Sequence, residues 1–127
     1  MEWEAGQNKK KGKKEQKMIR TTCKAVFEDS GDTLTIVLKG EIDHHGAAGV
    51  REEIDACLYR TRPKVAVLDL SGIDFMDSSG LGLIMGRYAL QKELGGKLVV
   101  LNPTGSVMRM IRLAGLERLI RIVKEDN

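Results

Sequence analysis

The stretch VAVLDLSGIDFMDSSGLGLIMGRY, Val65 to Tyr88, decides the fold. Its first six residues are apolar but for Asp69, as expected of a central strand covered on both faces. A strand and loop then hand over to a helix from about Ser79 to Leu94, which Gly95 and Gly96 end. The next apolar run, Leu98 to Leu101, makes the unit strand, helix, strand, so the two strands are predicted to be parallel.

Outward from this unit the periodicities are equally readable. Cys23 to Glu28 and Thr33 to Lys39 flank the turn residues Asp29, Ser30, Gly31 and Asp32, which predicts an antiparallel hairpin with Leu34, Ile36 and Leu38 on its buried face. From Ala47 to Tyr59, the apolar positions Val50, Ile54, Cys57 and Leu58 follow a helical period. Pro103 and Thr104 open a last helix whose stripe is Val107, Met108, Ile111 and Ala114, with Gly115 as the stop. Leu119 to Val123 reads as a short strand or a final helix. The fold class is α/β: a single domain with a mixed β-sheet, an N-terminal hairpin, a parallel strand-helix-strand core and packed helices.

At 127 residues the chain fits one hydrophobic core, and no apolar run approaches the roughly 20 residues that cross a bilayer. The net charge of +3 is unevenly placed. Met1 to Arg20 holds seven Lys or Arg against three Glu, a net +4, which leaves −1 for the rest. Residues 1–20 therefore read as a basic, disordered extension, and residues 21–127 as the domain; no nucleic-acid or membrane partner is expected. The lysine cluster is followed by no apolar core or cleavage site, so a cytoplasmic location is expected. Cys23 and Cys57 lack zinc-ligand spacing and read as buried, reduced thiols.

The candidate chemistry gathers at Asp77, Ser78 and Ser79. Asp or Ser is an ordinary cap before a helix, and capping explains one of the three. Gly80, Gly82 and Gly86 each cost roughly 1 kcal/mol relative to Ala inside a helix. Gly82 and Gly86 lie four apart and form a smooth strip, which suits close packing on the home sheet or the approach of a partner's backbone. A helix start tolerates a phosphate, whose charge of about −1.5 to −2 beside Asp77 would repel a tightly packed partner.

Enzymatic motifs fail here. A hydrolase elbow needs glycine two residues before its serine, but Met76 and Asp77 stand there. The glycines match neither a phosphate loop nor a dinucleotide fingerprint. His44 and His45, the two histidines of the chain, follow Asp43 without a further ligand at helical spacing, so Asp43 is read as a helix cap and no metal site is assigned.

The segments GEIDHH (40–45), LDLSGIDFMDSSGLGLIMGRY (68–88), GGKLVVLNP (95–103) and RLAGLERLIRI (112–122) resemble STAS domains, and among them the bacterial anti-sigma-factor antagonists of the sporulation type. The resemblance covers about residues 21 to 127. It implies a non-enzymatic protein without a cofactor, a monomer that in its unphosphorylated form binds an anti-sigma factor, itself an ATP-dependent serine kinase, and so frees the sigma factor. Phosphorylation would end that binding, and a serine phosphatase would restore it. Ser78 is implied as the phosphoacceptor, a choice between the two serines that the residues themselves leave open. Asp43, Asp77, Ser78, Ser79, Gly80 and Gly82 are the expected partner-binding residues. A general stress-response antagonist is the alternative within the family, and a nucleotide-binding or hydrolytic enzyme the alternative outside it. Gly46 departs from the family pattern, where a larger residue is usual.

Overall fold

In the computed structural model, residues 22–125 are described; the basic extension lies outside them. The chain runs β1 (Cys23–Asp29), β2 (Thr33–Ile42), α1 (His44–Thr61), β3 (Val65–Met76), α2 (Ser78–Glu93), β4 (Lys97–Leu101), α3 (Gly105–Leu113), a 3-10 turn (Leu116–Arg118) and β5 (Arg121–Val123). The strands form one sheet in the order β1-β2-β3-β4-β5. β1 is antiparallel to β2, and every later pairing is parallel, so the mixed sheet agrees with the sequence reading.

Register explains the core. Leu34 pairs with Ala66 and Ile36 with Leu68, and these pair in turn with Leu98 and Val100, all buried on one face. Val50, Ile54 and Leu58 of α1, Leu83 and Ile84 of α2, and Val107 and Ile111 of α3 close over that face. Fully burying each such side chain contributes about 1.5–3 kcal/mol before entropy is counted.

The expectation that β3 is covered on both faces is corrected. Val65, Val67 and Asp69 alternate with buried Ala66, Leu68 and Leu70 but remain partly exposed, as do Thr35, Val37 and Val99 on the flanking strands. Valine favours the strand backbone whether or not it is covered, so a continuous apolar run does not establish two covered faces.

β3 also runs to Met76 rather than ending near Leu70. Its pairing with β2 slips at two places, between Val37 and Lys39 and between Gly40 and Glu41. These bulges add residues to β3 and still bring Met76 level with Ile42. The polar residues Ser71 and Asp74 hide this part of the strand from an alternation rule. At the other end of the domain, Ala114 is exposed and stands after the last helical residue, so it does not join the stripe of α3. Gly115 stops the segment with φ 74°, a left-handed value that glycine adopts at little cost. Leu119–Val123 resolves into a three-residue strand, Arg121–Val123.

Candidate functional site

Because Ile42 and Met76 are level on adjacent strands, Asp43 and Asp77 leave the sheet side by side, and the Asp77 N–H donates to the Ile42 carbonyl at 3.2 Å. Each aspartate opens a helix. Asp43 Oδ1 accepts from the Gly46 N–H at 2.7 Å, and Asp77 Oδ1 from the Ser79 N–H at 2.8 Å. Two helix N-termini are thus capped side by side beyond the C-terminal ends of the inner strands β2 and β3.

The cap decides what the serines do. Asp77 supplies the capping oxygen, so Ser79 contributes its backbone N–H and not its hydroxyl. Ser78 is the first helical residue and is exposed, while Ser79 is half-buried. Among the described residues the Ser78 hydroxyl makes no hydrogen bond, which leaves it open to solvent.

Asp43 has a second support that the sequence did not disclose. The Thr22 hydroxyl donates to Asp43 Oδ1 at 2.9 Å, from the chain just before edge strand β1. The Gly46 N–H, with the Thr22 hydroxyl behind it, holds the Asp43 carboxyl below the usual range. Gly46 is explained by the same contacts. A Cβ there would lie 2.5 Å from the Glu41 carbonyl oxygen and 2.7 Å from Thr22 Oγ1, so this chain has no room for the larger residue.

The three helical glycines separate into two kinds. A Cβ on Gly80 would run into the Met76 side chain and approach Ile42 Cγ2 at 3.3 Å, and Gly80 is buried. Its role is internal packing. On Gly82 and Gly86 an added Cβ meets nothing within 4 Å. Packing on the home sheet therefore does not require these two, and the strip they form faces outward, in line with the alternative of a partner surface.

His44 and His45 occupy the first turn of α1 with exposed rings, edge to face at 6.1 Å between centroids. Among the described residues no group of three His, Cys, Asp or Glu is placed to hold a metal ion. Cys23 and Cys57 are both buried and free. Among the described residues no helix is long and apolar enough to cross a membrane.

Sequence reading missed Arg87. It continues the buried stripe of Leu83 and Ile84 on α2 and is 7% exposed, with Nε 2.8 Å from Asp55 Oδ1 on α1. The available signal was the i, i+4 spacing from Leu83 to Arg87 to Gln91, which puts two polar residues on an apolar face.

A five-stranded mixed sheet with two aspartate-capped helices starting together beyond its inner strands β2 and β3 defines the class, a small α/β domain of the STAS type. The STAS domain model matches residues 24–125. An anti-sigma F factor antagonist from Paenibacillus polymyxa is 39% identical over 100 residues, covering 79% of this chain and 86% of its own. The solved structure of the anti-sigma factor antagonist SpoIIAA in its unphosphorylated form superposes with a TM-score of 0.72 at 27% identity, over 82% of this chain and 90% of that one. That of the Bacillus cell fate determinant SpoIIAA in its phosphorylated form gives 0.66 at 26%, over 82% and 93%. The chain belongs to the STAS-domain family, among the anti-sigma-factor antagonists.

Proposed function

We propose that this protein is an anti-sigma-factor antagonist of the sporulation type, which in its unphosphorylated form binds an anti-sigma factor that is also a serine kinase. Ser78 is the residue that the kinase modifies, and a serine phosphatase reverses the step. ATP and magnesium belong to the kinase, and the domain acts by binding rather than by catalysis.

One observation carries this reading. The Ser78 hydroxyl is exposed at the first position of α2, and Asp77 already satisfies the helix start, so the hydroxyl is free for transfer. A phosphate there is tolerated by the fold, because it sits at the positive end of the helix. It is not tolerated by a partner. About −1.5 to −2 charge units would appear beside Asp77 and next to the loop of Asp43, on a surface where Ser79 and the open Gly82 also lie.

The reading is tested by incubation with the cognate anti-sigma kinase and ATP, followed by peptide mass mapping. A single phosphate on Ser78 is expected, and none on a Ser78→Ala chain. Phosphate on Ser79 instead would overturn the assignment.

A further inference from the structure

Between α1 and α2 a groove of about 420 Å³ runs on from the start of α2. Ala48 on one side and Gly82 and Gly86 on the other keep its floor low. Its titratable lining side chains are all basic: His44, Arg51 and Arg87, with no carboxylate among them.

Arg87 is the unusual member. Its guanidinium is buried, yet Nη1 has no hydrogen-bond partner, and Nε lies 2.8 Å from Asp55 Oδ1 without hydrogen-bond alignment. A buried donor left without a partner costs about 1–3 kcal/mol, so such a group asks for an explanation. Burial acts against the Arg87 charge, Asp55 supports it and the nearby Arg51 opposes it. Asp55 is thus the counter-charge of Arg87, and Arg87 adds to the positive side of the groove. Arg51, exposed at the rim, is also free to pair with an incoming anion.

We propose that this groove receives an acidic side chain of the protein partner, an Asp or Glu on a segment laid along the Gly82–Gly86 strip, pairing with the exposed Arg51. The inference rests on the function proposed above and adds a second contact to the Ser78 surface: the partner reads the hydroxyl at the start of α2 and the exposed Arg51 of α1. The occupant is a protein segment because the groove is continuous with Ser79, and because a strip without side chains admits a backbone. A lining with Arg51 at its rim and no carboxylate makes the occupant acidic.

The test titrates the full chain with the cognate anti-sigma factor by calorimetry. Two variants keep the fold intact, since Arg51 is exposed and a Cβ on Gly86 meets nothing within 4 Å. Arg51→Glu, through loss of a charge-assisted contact, and Gly86→Leu, through steric filling of the strip, are each expected to weaken binding by about tenfold or more without lowering the melting temperature. Arg51→Glu should also flatten the dependence of affinity on salt, which Gly86→Leu should not. Wild-type affinity in both variants, while Ser78→Glu still abolishes binding, would overturn the groove and leave the proposed function standing. A wild-type chain that binds no anti-sigma factor would overturn both.

Discussion

Asp43 and Asp77 end adjacent parallel strands at one level and cap the helix that follows, Asp43 through the Gly46 N–H and Asp77 through the Ser79 N–H. The pairing fixes the starts of α1 and α2 relative to each other, so the surface around Ser78 is built by the sheet rather than by a flexible loop. Asp77→Ala is expected to destabilise the domain by about 1 kcal/mol, while Asp77→Asn, which still accepts from an N–H, stays within a few tenths of wild type. Urea denaturation of the three chains checks this; equal losses for Ala and Asn would show that charge, not capping, is what Asp77 provides.

The glycines should respond with opposite signs. Gly80→Ala forces Met76 to move in the core and is expected to cost about 1–3 kcal/mol. Gly82→Ala and Gly86→Ala place the new methyl in open space and gain helix propensity, up to roughly 1 kcal/mol each. Chemical denaturation midpoints that fell for all three would contradict the division between internal and outward glycines.

Acid should weaken the start of α1 in a defined way. The folded pKa of Asp43 is depressed, chiefly by the Gly46 N–H and next by the Thr22 hydroxyl. Its contribution to stability is therefore fully present above the unfolded value of about 3.9 and is lost as pH falls through the folded value. Thr22→Val removes one of the two donors and is expected to raise the Asp43 midpoint in a carbon-detected NMR titration. An unmoved midpoint would mean that the hydroxyl does not serve the carboxylate.

Cys23 should be inert in the native protein. Burial, with the Asp43 charge second, pushes its thiol up to about 11. The folded state thus holds this proton more tightly than the unfolded chain, and stability is expected to fall as pH rises from about 9.0 toward about 11. At pH 8 a thiol reagent should label Cys23 only at the rate of unfolding, as read by mass spectrometry after a short pulse. Labelling faster than unfolding would place Cys23 outside the core.

Much of this was legible in the sequence because it depends on local pattern. Alternation along Leu34, Ile36 and Leu38 gave the buried face of β2, and the helical period of Val50, Ile54 and Leu58 gave α1. What escaped depends on groups distant in the chain. The second half of β3 loses strict alternation where its two bulges shift the register, and the exposed valines follow strand geometry rather than burial. Gly80, Gly82 and Gly86 look alike in sequence, and only the position of Met76 divides them. Thr22 reaches Asp43 across 21 residues, and Arg87 meets Asp55 on another helix. The spacing of Leu83, Arg87 and Gln91 marks Arg87 as lying on an apolar face, but nothing local names either partner.

The central claim is that phosphate on Ser78 decides whether the partner binds. It is tested most directly by calorimetric titration of the cognate anti-sigma factor with two preparations of the full chain, one carrying serine at position 78 and one carrying phosphoserine installed there during synthesis. The account predicts binding by the unmodified chain and an affinity at least about a hundredfold weaker for the phosphorylated one, with both chains equally folded. Equal affinity for the two would contradict it.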